Sequence, residues 1–357
     1  MSFGLSGKDA FNLLKLRLCR SLWPLRRAWK RLEGNASADT SVYQSYYVNK
    51  TVKRRLGIYA LQQRYSARYI GVYENGQAKL ILPLCRYRGR QDYCALGRFN
   101  GFQVYDLIYG KDMTKEEFLR CFRFVLETLA PDSLAFSNVP CSSLLYRCVE
   151  EGLLEEWGYG CQLKPNDNVC IHAGSDYDGW YAALSKHTRQ NVRTAYNRMN
   201  SDGMQMRYEL YRGKKPDRKT LNQIIDLYCA RHSARYGVET SRAKKLYLRY
   251  LDFSTTCLQN YKDNFCAVLY LNDRLAAFMA GMVEKEGSAV VIPRLSIEDD
   301  FGRYSPGVVL INETVKRMTT EQNIGNLDLS KGAEGYKLSM GGTLYHTYDI
   351  TLTKQTH

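Results

Sequence analysis

The sequence predicts an α/β (α+β) protein of two tandem lobes, each a mixed, mostly antiparallel sheet flanked by helices. The chain has 357 residues, and one compact core seldom holds that many, so two domains are expected. In both halves, short runs rich in β-branched and aromatic residues alternate with segments of helical periodicity. Each half also contains a strand hairpin followed by a helix, although no internal repeat is visible as sequence identity.

Changes in composition divide the chain into three parts. Residues 1–34 are basic and amphipathic, residues 42–172 form the first lobe, and residues 173–357 form the second lobe. The stretch at 33–41 is small and polar, which is typical of a linker. The second lobe contains the segments that we interpret below as a reaction site.

The N-terminal part has apolar residues at spacings of three and four between residues 8 and 32, with basic residues outside that stripe. This spacing predicts a helix that Pro24 kinks or splits. The basic flanks, together with Trp23 and Trp29, are also typical of a peripheral anchor at the inner face of a membrane. The alternative is a helix packed on the protein's own body or on a partner such as a polysaccharide synthase.

In the first lobe, Glu74-Asn75-Gly76-Gln77 separates two β-rich runs and predicts a hairpin. Thr114 is placed to cap a helix whose apolar residues share one face. The expected elements are, in chain order, strands 69–72, 79–84, 93–96 and 103–108, helix 115–129, strand 133–137 and helix 142–152.

In the second lobe, a long basic helix ends at Ser201-Asp202-Gly203, and Asn272-Asp273 marks a hairpin. Helices come first, followed by a meander of strands, a helix and two further strands. The expected elements are, in chain order, helix 177–200, strand 204–211, helices 218–236 and 243–260, strands 265–271, 275–283 and 288–297, helix 307–318, and strands 326–329 and 343–352.

The formal net charge of +15 is concentrated in two stretches. Residues 1–34 hold eight Lys/Arg against two acids, and residues 180–250 hold sixteen against five. Such a local excess indicates an anionic partner, such as phosphate groups, nucleic acid or an acidic membrane surface. The alternative is a solvated helix face without a partner.

The cysteines and histidines argue against a metal enzyme. The 11 cysteines and 5 histidines contain no CxxC, HxxxH or HxH arrangement, so we expect a reduced cytoplasmic protein without a metal. The apolar runs are far shorter than the roughly 20 residues that span a bilayer. Lys15, Arg17 and Arg20 interrupt the N-terminal apolar residues, which argues against a signal peptide.

The first candidate site is the loop and helix start that follow strand 288–297. A glycine-containing turn that enters a helix N-terminus exposes backbone N–H groups, and these bind phosphate together with the helix dipole. Arg303 is expected to add a charge-assisted contact, and Ser305 to cap the helix. The alternative is an ordinary helix start. The predicted binding residues are Arg303, Tyr304, Ser305, Pro306, Gly307 and Val308.

The second candidate site is the segment from Asp328 to Lys337, which follows a strand and combines acids, lysines, a tyrosine and two glycines. Either Asp328 or Glu334 is a candidate general base, and Lys337 is expected to hold an anionic group. The alternative is a polar turn.

The third candidate is the basic helix near residue 190. Lys186, Arg189 and Arg193 recur at three- and four-residue steps and therefore share a face that suits phosphates. The residues predicted to bind an anionic acceptor are Lys186, Arg189, Asn191, Arg193 and, from the second segment, Tyr336.

These segments occur together and in one order, which is more specific than any of them alone. In chain order, the set comprises the basic helix at 185–193, Leu227-Tyr228-Cys229-Ala230-Arg231-His232, the hairpin at 272–283, the Ser305-Pro306-Gly307-x-x-Leu310 helix start and the D-x-x-x-G-x-E-x-Y-K segment at 328–337. It resembles the GNAT-type acetyltransferase family associated with cellulose or exopolysaccharide biosynthesis in bacteria. The resemblance extends over residues 42–352, with Leu80–Leu84 similar to an ILPL strand of that family.

The resemblance implies two GNAT-like lobes in tandem, as also in the Fem-type ligases, with the pyrophosphate of coenzyme A near Arg303–Val308. This segment contains only Gly302 and Gly307, whereas the usual phosphate-binding loop of GNAT proteins has a denser glycine pattern. The donor therefore stays open among acetyl-CoA, a longer acyl-CoA, an acyl carrier protein and an aminoacyl-tRNA.

The predicted reaction is direct transfer of an acetyl or other acyl group to an amine or hydroxyl of a sugar nucleotide or saccharide precursor. Asp328 or Glu334 would accept the proton, and Tyr336 or Tyr345 would return one to the leaving thiolate. A backbone N–H of strand 288–297 would polarise the carbonyl. Two alternatives are a Fem-type aminoacyltransferase that binds tRNA through its basic region, and a non-catalytic partner of a polysaccharide synthase.

Overall fold

The computed structural model describes residues 13–35, 41–50, 65–97, 104–236, 263–284 and 287–355. The chain forms two compact units, one of residues 1–166 with 346–357 and the other of residues 167–345. This division differs from the expected lobes at 42–172 and 173–357, because the last residues of the chain belong to the first unit.

The strands are, in chain order, β1 (Leu14–Cys19), β2 (Tyr65–Glu74), β3 (Gln77–Tyr87), β4 (Asp92–Ala95), β5 (Ile108–Tyr109), β6 (Ser133–Pro140), β7 (Tyr159–His172), β8 (Met206–Arg212), β9 (Asn264–Leu271), β10 (Arg274–Val283), β11 (Ala289–Ile297), β12 (Asn326–Lys331) and β13 (Gly342–Lys354).

The α-helices whose two ends are described are α1 (Arg26–Gly34), α2 (Lys115–Leu129), α3 (Leu144–Glu150), α4 (Tyr177–Ala183), α5 (Lys186–Ser201), α6 (Arg218–Tyr236), α7 (Pro306–Arg317) and α8 (Gly335–Ser339). Residues 46–50 are also helical.

The sheet of the first unit is a meander closed by one parallel pair. Strands β1, β2, β3 and β4 pair antiparallel in sequence order. Strand β6 then pairs parallel with β4, and the part of β13 from Thr347 onward pairs antiparallel with β6. The hairpin between β2 and β3 turns at Asn75 and Gly76, whose φ angles of 48° and 76° suit a tight turn.

The sheet of the second unit repeats this plan. Strands β8, β9, β10 and β11 pair antiparallel in sequence order. Strand β12 then pairs parallel with β11, and the part of β7 from Asn168 onward pairs antiparallel with β12. The last strand of each sheet thus comes from a distant part of the chain, which explains why the unit boundaries do not follow the expected ones.

Apolar residues of α4, α5 and α7 pack on one face of the second sheet. The cluster includes Trp180, Val192, Leu310 and Val315, all buried against side chains of β9 to β12. Leu221 and Ile224 of α6 pack with Phe278 in a second cluster. Helices on a mostly antiparallel sheet are the predicted architecture.

The predicted helix over residues 8–32 is wrong for its middle part. Residues 14–19 form β1, which pairs with β2 from Leu14 opposite Glu74 to Cys19 opposite Tyr69. Helix α1 begins only at Arg26, after a short 3₁₀ turn that contains Pro24. Alternating leucines and cations at 14–18 are a period-two signal that the longer helical stripe obscured.

Two other predicted elements differ, and a third is not described. The strand at 103–108 is wrong for 104–107, since β5 is limited to Ile108–Tyr109. The helix at 177–200 is split at Leu184, where the backbone is extended before Ser185 caps α5. The predicted helix at 243–260 lies outside the described residues.

Candidate functional site

The candidate site lies where β11 and β12 separate. The two strands pair parallel for three residue pairs, from Ala289 opposite Asn326 to Val291 opposite Asp328. Beyond that point β11 continues to Ile297 while β12 passes through Ser330, whose φ is 58°. Separation of two parallel strands leaves the facing edge of β11 open for a ligand.

A cleft of about 710 Å³ occupies this position in the second unit. It brings together two segments that the sequence singled out independently, namely the start of α7 and the residues that follow β12. The lining residues are Arg231, Leu295, Ser296, Ile297, Gly302, Ser305, Pro306, Gly307, Val308, Glu334 and Tyr336.

The start of α7 offers fewer backbone donors than the sequence predicted. Ser305 has a left-handed φ of 48°, and its side chain makes no capping hydrogen bond, so the prediction that it caps the helix is wrong. Pro306 has no N–H, and the amides of Val308 and Val309 both donate to the Ser305 carbonyl. Among the described residues, the Gly307 N–H has no acceptor, so it is available to a ligand.

The corresponding helix start in the first unit, that of α2, is unsuited to binding an anion. Helix α2 precedes β6 as α7 precedes β12, but Thr114 and Glu117 form a reciprocal capping box at its N-terminus. Glu116 and Glu117 also place two carboxylates in its first turn. Because negative side chains at this end repel a phosphate, only the second unit presents an anion-compatible helix start of this kind among the described residues.

Arg303 and Tyr304 lie beside the cleft, and both side chains contact Asp202. The Arg303 Nε donates to Asp202 at 3.0 Å, and the Tyr304 hydroxyl donates to the same carboxylate at 2.9 Å. These donors hold the pKa of Asp202 below its usual range. In this conformation the guanidinium of Arg303 therefore does not line the cleft with residues 305–308.

Glu334 and Lys337 organise the loop on the other side of the cleft. Lys337 is only 4% exposed, and its ammonium donates to the carbonyls of Lys331 and Gly332 at 2.9 and 3.0 Å. It also pairs with the Glu334 carboxylate at 2.9 Å, which remains half exposed. Lys337 thus holds the loop that presents Glu334, and these contacts leave it poorly placed to bind an anionic substrate.

Tyr336 is the second side chain that α8 contributes to the cleft. Burial raises its pKa to about 12, so its hydroxyl stays protonated at neutral pH. It packs against the core of the second unit and also lines the cleft.

Asp328 and Tyr345 form a buried pair that does not line the cleft. The Tyr345 hydroxyl donates to the Asp328 carboxylate at 2.5 Å, and the Ser330 amide donates to it at 2.7 Å. Burial raises the pKa of Asp328 to about 6, although these hydrogen bonds oppose the shift. Burial also raises the pKa of Tyr345.

The raised pKa of Asp328 predicts a pH-dependent cost in stability. The folded state holds the proton up to about pH 6, whereas an unfolded Asp titrates near 3.9, so the folded state loses stability as the pH rises through this window. In Asp328→Asn this loss disappears, and the free energy of unfolding relative to wild type should rise by roughly 2 kcal/mol between pH 4 and 7. Urea unfolding at several pH values measures it.

Asp273→Asn is the matched control, because this side chain is 87% exposed. It should show no such trend. A difference between wild type and Asp328→Asn that stays constant from pH 4 to 7 would contradict the assignment.

Some cations of the basic helix α5 donate hydrogen bonds to groups of the protein itself. The Arg189 guanidinium donates to the carbonyls of Ala182 and Leu184 and so ends α4. Arg193 donates to Gln190 at 3.0 Å, and Asn191 contacts His187 at 3.1 Å. Lys186 is exposed. None of these residues lines the cleft.

Sequence reasoning missed two kinds of lining residue. Arg231 comes from α6 and pairs with Asp299, and it was placed from the sequence in the ordered set of segments without being given a role. The strand that contains Leu295 and Ile297 was expected to contribute only a backbone N–H, although the alternation of these side chains next to a candidate loop was a usable signal.

The described residues contain no cluster of metal ligands and no helix suited to spanning a membrane. Among the described residues, no group of three or more His, Cys, Asp or Glu side chains is arranged to hold a metal ion. No helix in the described ranges is long and apolar enough to cross a membrane.

Residues 186–338 match the model of a protein family described as acetyltransferase (GNAT) domain. The matched range contains α5, the cleft and the whole segment from Asp328 to Lys337. The second unit therefore carries a GNAT-type acyltransferase domain, and the predicted enzyme class is confirmed. Among curated proteins, no sequence matches the chain significantly.

Solved structures share the fold at low sequence identity. FemX is 11% identical with a TM-score of 0.60, over 91% of this chain and 95% of that chain. The C-terminal domain of a putative lysylphosphatidylglycerol synthetase from Agrobacterium fabrum is 13% identical with a TM-score of 0.53, over 93% and 92%. A tandem GNAT protein from the clavulanic acid biosynthesis pathway is 10% identical with a TM-score of 0.52, over 96% and 99%. These likenesses confirm the predicted fold of two tandem GNAT-like lobes.

Proposed function

Proceeding from the GNAT-type acyltransferase domain at residues 186–338, we propose that this protein moves an acyl group from a coenzyme A thioester to an amine or hydroxyl. Acetyl-CoA is the proposed donor, and a sugar nucleotide or a precursor of a cell-surface polysaccharide is the proposed acceptor. The reaction takes place in the cytoplasm, where acyl-CoA is available.

The observation that carries this proposal is the convergence of two segments on one cleft. Gly307 at the start of α7 and Glu334 in the loop before α8 are 27 residues apart in sequence, yet they line the same 710 Å³ space. The open edge of β11 lies between them. A narrow cleft with an apolar wall, a backbone donor and a carboxylate suits an acyl thioester beside an attacking nucleophile.

The cleft fits the thioester arm of coenzyme A better than its pyrophosphate. Leu295, Ile297 and Val308 give apolar contact for the pantetheine and acyl groups. For the pyrophosphate, the Gly307 N–H is the open donor of the helix start, and Arg303 would have to leave Asp202 to add its charge. Bound acyl-CoA supplies an electrophilic carbonyl, and the protein's share is to position that carbonyl and move a proton.

Glu334 is the proposed general base, because its carboxylate reaches the cleft. The buried carboxylate of Asp328 accepts hydrogen bonds from the Tyr345 hydroxyl and the Ser330 amide. We therefore assign the side chains of Asp328 and Tyr345 to positioning β12. Tyr336 lines the cleft with a protonated hydroxyl, and we propose that it returns a proton to the leaving thiolate. Lys186 and Arg193 are proposed to contact an anionic acceptor from the exposed face of α5.

Calorimetric titration with acetyl-CoA and with acetylpantetheine tests the donor. We expect micromolar binding of acetyl-CoA that weakens at least tenfold in Val308→Trp, because the indole fills the cleft. If Arg303 reaches the pyrophosphate, Arg303→Ala weakens acetyl-CoA but leaves acetylpantetheine unchanged. Absence of binding by either ligand to the wild-type protein would overturn a coenzyme A donor.

One observation favours a second candidate, an aminoacyl-tRNA donor. Exposed cations on α5 and at the start of α6 accompany a helix start with few phosphate donors. A polyanionic donor held by such cations would show steep salt dependence. Binding of tRNA that falls by orders of magnitude between 50 and 200 mM salt, without acetyl-CoA binding, would select this candidate.

A further inference from the structure

The first unit carries a basic and aromatic groove that the acyl-transfer proposal does not use. A groove of about 420 Å³ lies between the start of α1 and the helical residues 46–50. Trp23, Arg26, Tyr47 and Lys50 line it, and Lys30 joins them because its ammonium donates to the Tyr47 hydroxyl at 2.9 Å. We name these five residues the basic groove.

Local geometry brings three cations to one place. Arg26 and Lys30 lie four residues apart on α1 and so share a face. The Lys30 ammonium also lies 4.6 Å from the centre of the Tyr47 ring, and Lys50 follows Tyr47 by three residues on the facing helical turn. The hydrogen bond from Lys30 holds the pKa of Tyr47 below its ordinary value, and Arg26 acts in the same direction.

The chain segments that form the groove are almost wholly positive. The described residues 13–35 and 41–50 contain eight Lys/Arg and one acid, Glu33, whose carboxylate accepts from the Tyr46 amide at 3.2 Å. Like charges on one groove repel one another, and an anion bound among them relieves that repulsion. The groove is therefore complementary to an anionic group.

Exposed apolar groups in the same stretch identify the class of partner. Trp23 is 75% exposed, and Leu13 and Leu18 are each about half exposed. A tryptophan with cations around it is the composition that settles at the headgroup level of a membrane, where the ring meets the acyl boundary. Exposed leucines add to such a surface but contribute little to a contact with nucleic acid, which favours stacking aromatics.

We propose that the basic groove docks this protein on an anionic lipid surface, with lipid phosphates among Arg26, Lys30 and Lys50 and the Trp23 ring at the headgroup level. This surface is formed by α1, its preceding 3₁₀ turn and residues 46–50, and thus differs from the amphipathic helix over residues 8–32 that the sequence predicted. The proposal is independent of the acyl donor and of the cleft in the second unit.

Co-sedimentation with phosphatidylcholine vesicles, with and without 30% phosphatidylglycerol, tests the surface. We expect binding to the anionic vesicles alone, weakened by higher salt. Each cation near an anionic leaflet contributes a factor of about five, so Arg26→Gln/Lys30→Gln/Lys50→Gln should bind about a hundredfold more weakly. Trp23→Ala should weaken binding even at low salt.

The control is Lys111→Gln/Arg147→Gln/Lys354→Gln, which removes three exposed cations from the same unit. It should keep most of the vesicle binding, and circular dichroism should show all variants folded. Equal binding to neutral vesicles, or an equal loss in the control, would overturn the proposal. A single-stranded oligonucleotide that binds the wild type but not the groove variant, with no vesicle binding, would assign the groove to nucleic acid instead.

Discussion

Glu334→Gln is expected to lower kcat/KM for acyl transfer by a factor of about 10² to 10⁴, the usual contribution of a positioned general base. The amide keeps the shape of the side chain but cannot accept the proton of the attacking amine or hydroxyl. Binding of acetyl-CoA should change little, because Glu334 faces the cleft across from the start of α7. Release of free coenzyme A, followed with a thiol reagent and a panel of amino-sugar nucleotides, measures the rate.

Glu321→Gln makes the same chemical change on an exposed carboxylate of the second unit that pairs with Arg317, and should leave the rate unchanged. Asp328→Asn separates the two candidate acids. Full activity in Glu334→Gln together with a large loss in Asp328→Asn would transfer the role of base to the buried carboxylate and refute our assignment.

Lys337→Met is expected to lower the free energy of unfolding by about 3 kcal/mol, because it removes a buried ammonium together with the hydrogen bonds it donates and its ion pair with Glu334. The affected carbonyls belong to Lys331 and Gly332, which lie in the loop that presents Glu334. The loop should therefore lose its fixed position as well. We expect activity to fall along with stability, whereas Glu334→Gln lowers activity alone.

Lys331→Met is the matched control, since this neighbouring lysine is exposed. Urea unfolding should place it within about 0.5 kcal/mol of the wild-type protein. A stable Lys337→Met protein that has lost affinity for an anionic acceptor would show that Lys337 binds substrate, as the sequence first suggested.

Local signals in the sequence predicted the elements whose stability is itself local. The β2–β3 hairpin turns at Asn75-Gly76, where both residues adopt the positive φ that favours them. Helix α2 begins at the capping residue Thr114 and shows its apolar face to the core. Both features depend on neighbours within a few residues, so the sequence contains the information needed to predict them.

The candidate site was predictable only in its parts. The helix start at 305–308 and the acidic loop near 334 were each identified, but their convergence was expected on the strength of a family resemblance. Only the structure shows that Arg231 lines the same cleft as the edge of β11, next to the point where β11 and β12 separate. Lys337 was identified from the sequence as a candidate ligand for an anionic group, and only the structure shows the carbonyls to which its ammonium donates.

The sequence by itself determined the alternation of most elements, the hairpins and the candidate segments of the site, since periodicity and turn chemistry act over a few residues. Tertiary structure alone decided that residues 14–19 pair with β2 and that β13 completes the first sheet. It also decided which Lys and Arg side chains donate to carbonyl or carboxylate oxygens of the protein itself. These outcomes depend on backbone hydrogen bonds and burial between segments far apart in the chain, and no local pattern records which partner a strand or a buried charge will meet.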